Sequence, residues 1–124
     1  MKRVLILEND EAVLDVMKEA LTYEGFEVCS VRETDNIFLL IDEYKPDAIL
    51  IDYLLNGING GEICDLIKTN SQTADLPVII TSAYPRVFGP HGSQSCDDFI
   101  PKPFDLDDLA CRIKKLTDKN LHVF

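Results

Sequence analysis

The chain has 124 residues, 46% of them hydrophobic and 27% charged, with 12 basic against 22 acidic side chains and a formal net charge of −10. That length suits a single α/β domain, which buries roughly 65–70% of its unfolded surface and needs no disulfide or structural metal to hold a core. The acidic balance argues against direct binding of nucleic acid or anionic lipid, and no apolar run approaches the ~20 residues of a membrane span.

Met1-Lys2-Arg3 leads at once into Val4–Leu7, an apolar run too short for a secretory signal. Cys29, Cys64, Cys96 and Cys111 form no C-x-x-C pair and lie at no metal-ligand spacing with His. They read as reduced thiols, mostly filling the core, in a cytoplasmic protein.

Five short apolar runs mark strands: Val4 to Leu7, Phe26 to Val31, Ala48 to Ile51, Val78 to Thr81, and Phe99-Ile100. Near-continuous apolar runs suit strands covered on both faces, as in a parallel sheet. Val13, Val16, Met17, Ala20 and Leu21 give a first helix one apolar face, and Gly25 is placed to stop it. Thr34 is a candidate N-cap for a second helix carrying Ile37, Leu40, Ile41 and Tyr44, which Pro46 ends. Ile63, Leu66 and Ile67 mark a third helix. Leu106, Leu109, Ala110, Ile113 and Leu116 mark a last one, with Asp105, Asp107 and Asp108 at its start, where the helix dipole favours negative charge. The stretch "SAYPRVFGPHGSQSCDD" between the fourth and fifth strands holds two prolines and two glycines, so the helix expected there is short or irregular. The pattern is βα repeated, with right-handed crossovers and helices on both faces of one sheet.

Ligands of such sheets bind beyond the carboxyl ends of the strands. There the chain places Glu8-Asn9-Asp10, Asp52, Thr81-Ser82 and Lys102-Pro103. Carboxylates, a hydroxyl and an ammonium in one crevice suit phosphoryl chemistry. A carboxylate can attack phosphorus, a cation held by oxygens neutralises the phosphoryl group, and lysine holds the product as a point charge.

"RVLILEND", "KPDAILID", "LPVIITSA" and "DDFIPKPF", in that order and near the usual spacing, make the chain resemble the receiver (phosphoacceptor) domain of two-component response regulators over residues 1–124. The resemblance implies a flavodoxin-like (βα)5 doubly wound fold with a parallel five-stranded sheet of order 2-1-3-4-5. It implies that Asp52 accepts a phosphoryl group from a sensor histidine kinase or phosphotransfer protein, that Ser82 is the switch hydroxyl, and that Phe99 is the switch aromatic. It implies too that Lys102 is the family's lysine, before a proline bond that is cis. Glu8, Asn9, Asp52 and the backbone oxygen of Leu54 would hold Mg²⁺. The downstream partner is a protein, and no direct nucleic-acid or membrane contact is implied.

The chain departs from the family pattern in three places. Asn9 stands where the second acid, the direct metal ligand, is usual, and Asp10, one place on, should point away. A charge lost about 4 Å from the cation is about 4 kcal/mol at an effective dielectric of 20. Compensation reduces this to about 1–3 kcal/mol, a ten- to hundred-fold weaker Mg²⁺ affinity, together with a more stable metal-free fold. Asn56 replaces a common proline in a loop still rich in turn residues. The Pro/Gly-rich segment replaces a regular helix of the usual output face.

Two further readings compete with the phosphoacceptor. One is a pseudo-receiver, a phosphorylation-independent protein-interaction module. The other is an aspartyl-nucleophile hydrolase, which would want an acid two residues after the nucleophile, where Leu54 stands. The favoured reading is not a multiple-turnover enzyme; it phosphorylates itself at most.

Overall fold

The computed structural model describes residues 1–54, 59–83 and 96–118. The elements run β1 (Arg3–Leu7), α1 (Glu11–Tyr23), β2 (Glu27–Val31), α2 (Ile37–Tyr44), β3 (Ala48–Asp52), α3 (Gly60–Thr69), β4 (Val78–Ser82), β5 (Asp98–Pro101) and α4 (Leu106–Thr117). All five strands pair in parallel, in the order β2-β1-β3-β4-β5 that the resemblance implies. The expected irregular helix between β4 and β5, and the turn around Asn56, lie outside the described residues.

The alternation of side chains along the strands divides the core in two. Val4, Ile6, Leu50 and Ile79 face α1 and α4, where they meet Leu14, Met17, Leu21, Leu109 and Ile113. Leu5, Leu7, Ile49, Ile51 and Ile80 face α2 and α3, where they meet Ile37, Ile63, Cys64 and Ile67. β1, β3 and β4 are central in the sheet. Burial on both faces explains why they read as unbroken apolar runs.

Local chemistry sets the helix ends. Asp10 caps α1 by accepting from the backbone N–H groups of Ala12 and Val13. Gly25, with φ +94, takes the left-handed conformation just beyond the helix that glycine adopts without strain. Asp105 caps α4, and Asp107 and Asp108 fill its first turn.

Three expectations need correction. The N-cap of α2 is Asn36, which accepts from Phe38 N–H, while Thr34 accepts from Asn36 N–H one step earlier. The buried stripe of α1 is Leu14, Met17 and Leu21, and Val16 is 49% exposed. On α3 it is Cys64 rather than Leu66 that joins Ile63 and Ile67 inside. The cysteines are as expected: none is in a disulfide, Cys64 is buried in the core, Cys29 and Cys96 are half-buried against it, and only Cys111 is at the surface.

Candidate functional site

The site lies over the carboxyl ends of β1, β3 and β4. Glu8 follows the last residue of β1, and its N–H donates to Val31 O at the end of β2 (3.1 Å). The residue is 1% exposed. Its carboxylate accepts from Lys102 Nζ at 3.0 Å (Oε1) and 2.9 Å (Oε2). Burial raises the Glu8 pKa above its ordinary value, the hydrogen bond from Lys102 opposes this, and the nearby Asp52 charge adds to it.

Asp52 ends β3 at 7% exposure. Its Oδ1 accepts from Leu54 N–H at 3.3 Å, and its Oδ2 lies 3.6 Å from Lys102 Nζ. One ammonium thus faces two carboxylates from different strands. Lys102 reaches them from beyond β5; its backbone N–H donates to Ser82 O at 2.7 Å, and the Lys102–Pro103 bond is cis. Ser82 is the last residue of β4 and is buried.

Of the remaining candidates, Asn9 is half-buried beside Glu8, and its carbonyl accepts from Arg32 Nη2 at 3.5 Å. Asp10 is turned to the α1 cap, at 2.9 Å from Ala12 N, which removes it from the crevice. Leu54 is at the rim, 47% exposed. Phe99 is 44% exposed on β5, so it is no plain core aromatic.

Two residues at the site carry more than their place in the sequence suggests. Gly60 opens α3 with its N–H on Tyr53 O (2.8 Å), which closes the loop after Asp52. A Cβ at Gly60 would collide with the Asp52 carbonyl oxygen and lie 2.7 Å from Ile51 Cγ2, so only glycine fits without movement. Thr81 is the in-register neighbour of Asp52, and its buried hydroxyl has no hydrogen-bond partner among the described residues. "Asn59-Gly60-Gly61" hints at the first; the second depends on strand register.

The donor set fits a hard divalent cation. Glu8 and Asp52 already converge on one positive charge, and the raised Glu8 pKa is the penalty a further positive charge would relieve. Asn9 and Leu54, expected to supply neutral oxygens, follow β1 and β3 at this same end of the sheet. Among the described residues no three His, Cys, Asp or Glu side chains cluster as a metal site.

The five-stranded parallel order is that of a flavodoxin-like doubly wound sheet, with two carboxylates under one lysine at its strand ends. Residues 4–114 match the response regulator receiver domain, and the chain belongs to that family. Among curated relatives it is 30% identical over 118 residues to the phosphate regulon transcriptional regulatory protein PhoB of Rhizobium meliloti (strain 1021), which covers 92% of this chain and 51% of that protein. The chain therefore spans about half the length of the curated relatives it matches. Among solved structures, the response regulator TrrA of Thermotoga maritima, in complex with Mg²⁺-BeF, aligns with a TM-score of 0.84 and 26% identity over 94% of this chain and 99% of that one. The signal receiver domain of a histidine kinase from Syntrophus aciditrophicus also scores 0.84 at 26% identity, over 94% and 90% of the two chains.

Proposed function

We propose that this receiver domain takes a phosphoryl group on Asp52 from a sensor histidine kinase or phosphotransfer protein and passes the change to a downstream protein. The observation that carries this reading is the bridging of Glu8 and Asp52 by Lys102 in a buried site at the strand ends. An Asp52 carboxylate oxygen bonds to phosphorus as the donor's P–N bond breaks and imidazole leaves, giving an acyl phosphate. Lys102 turns its ammonium from the carboxylates to the phosphoryl oxygens, and Ser82 donates its hydroxyl to one of them.

Glu8, Asn9, Asp52 and the Leu54 carbonyl would hold Mg²⁺, which when bound neutralises the phosphoryl oxygens. With Asn9 in the set, Mg²⁺ binds about ten- to hundred-fold more weakly than it would with a third carboxylate. An apolar groove of about 500 Å³ beside the site, lined by Val13, Met17, Ala83, Lys102, Phe104 and Leu106, gives the donor protein a surface to rest on. The domain acts in the cytoplasm; no described helix is long and apolar enough to cross a membrane. It is a stoichiometric acceptor rather than a multiple-turnover enzyme.

Acetyl phosphate with Mg²⁺ should add one phosphoryl mass to the intact protein and none to Asp52→Ala. No mass change at tens of millimolar Mg²⁺ refutes the reading. The neutral Asn9, with Glu8 engaged by Lys102, favours a second reading, a phosphorylation-independent interaction module. Under that reading, Asp52→Ala leaves partner binding and output unchanged.

A further inference from the structure

Thr81 is 1% exposed, and its Oγ1 is one of two buried side-chain polar atoms without a hydrogen-bond partner among the described residues. A buried hydroxyl left unpaired is costly, and such groups need a reason. Valine would fill the same volume without that cost.

The position of Thr81 supplies the reason. Asp52 and Thr81 are Cα partners on adjacent parallel strands, so about 4.8 Å separates their backbones. Leu50 and Ile79, two residues before each, both lie in the core half that faces α1 and α4. Side chains alternate with a period of two, so Asp52 and Thr81 leave the sheet on that same face. Ser82, one residue on, falls on the opposite parity with Val78 and Ile80. The two hydroxyls therefore flank the acceptor from different sides. The neighbour of Thr81 on its other side is Ile100, which offers no acceptor side chain. Thr81 O also accepts from Tyr53 N–H at 2.8 Å, so its backbone is anchored to the residue after Asp52.

Both Asp52 oxygens are engaged, Oδ1 by Leu54 N–H and Oδ2 by the Lys102 charge. Loading the acceptor moves the ammonium toward phosphoryl oxygens and frees the Asp52 oxygens for another donor. We propose that Thr81 is a positioning residue of the acceptor, its hydroxyl donating to a carboxyl oxygen of Asp52 once that group is loaded. This rests on Asp52 being the phosphoacceptor. A rotation about χ1 aims the hydroxyl while the threonine backbone stays in its strand.

Beryllofluoride with Mg²⁺ serves as the probe, titrated into the full chain and into Thr81→Val and Thr81→Ser, with melting curves of each metal-free protein. Thr81→Val should bind the probe about five- to ten-fold more weakly, the loss of one hydrogen bond to a charged or polarised group. It should also melt higher than the native protein when empty, since an unpaired hydroxyl is gone, and Thr81→Ser should bind like the native protein. In the acetyl-phosphate adduct, the acyl carbonyl stretch should move to higher frequency in Thr81→Val alone. Equal probe binding by native and Val proteins overturns the inference and leaves the phosphoacceptor reading intact. A lower melting temperature for empty Thr81→Val overturns it as well, because the hydroxyl then has a partner in the empty fold. Failure of the native protein to bind the probe, or to take up phosphoryl, brings down both.

Discussion

Lys102 Nζ donates to both oxygens of Glu8 at 2.9 and 3.0 Å and stands 3.6 Å from Asp52 Oδ2, so a single ammonium offsets two buried carboxylates. The two carboxylates are therefore held through an ion pair that a bound cation and phosphoryl group would rearrange. The closer partner is Glu8, and Asp52 is held at a looser distance.

Removing that ammonium should be costly at neutral pH. Lys102→Met leaves Glu8 and Asp52 buried beside each other without a cation. The expected loss is about 2–3 kcal/mol of unfolding free energy, below the full cost of breaking a buried pair because Lys102 keeps some solvent contact. The pH dependence follows from the raised Glu8 pKa. A carboxyl whose folded pKa lies above its unfolded value contributes stability that is fully present below the unfolded pKa. That contribution is lost as pH rises through the folded value. Without Lys102 the folded value climbs further, so the deficit of the variant should shrink on going from pH 8 to pH 5. Urea denaturation of both proteins in chelator at the two pH values checks this; a deficit that is constant or grows toward pH 5 contradicts it.

The central strands were legible in the sequence because both of their faces are covered, and Asp52 and Ser82 because each ends such a run. The α1 face was not. Val13, Val16 and Ala20 share a helical period with Met17, and periodicity cannot choose between two overlapping stripes. Packing against Ile6 and Ile113 chose Leu14, Met17 and Leu21. At α2, Thr34 and Asn36 are equally good capping types; the φ/ψ of Asn36 (−151, 100) and its bond to Phe38 N–H decide the matter. Thr81 and Gly60 become meaningful only through contacts with β3, which no local pattern encodes.

Gly60 should tolerate no side chain. Gly60→Ala puts a methyl group against the Asp52 carbonyl oxygen and Ile51 Cγ2, both in a central strand with little room to yield. Overpacking of this kind costs about 1–3 kcal/mol. The displaced backbone is that of Asp52, the proposed acceptor, so beryllofluoride binding should weaken beyond what the stability loss explains. Chemical denaturation and probe titration measured together test this, and a variant as stable as the native protein contradicts the contact.

The thiols should react in a fixed order. Cys111 is exposed and should react first with iodoacetamide; Cys64 lies inside the α3 face of the core and should react only on unfolding. Burial raises the Cys96 pKa from its ordinary value near 9, and the Asp97 and Asp98 charges add to the rise, so its reactive thiolate is scarce at neutral pH. Its labelling rate should increase with pH through and beyond pH 9. Mass mapping of labelled peptides over time gives the order, and Cys96 outpacing Cys111 at pH 7 contradicts it.

Asn9→Asp tests what the missing charge does. Asn9 is half-buried next to Glu8, which is already held partly against ionisation by burial and by the Asp52 charge. A third carboxylate at this point repels both, and the Lys102 ammonium already serves two. Metal-free Asn9→Asp should therefore be less stable than the native protein by about 1 kcal/mol. Mg²⁺ reverses the order, because a third anionic ligand tightens binding about ten- to hundred-fold and binding to the folded state alone adds stability with concentration. Melting curves of both proteins from chelator up to tens of millimolar Mg²⁺ should cross, the variant melting lower without the cation and higher with it. Parallel curves would show that Asn9 does not face the cation, and the Asp52 site would then have to bind it through Glu8 and neutral oxygens alone.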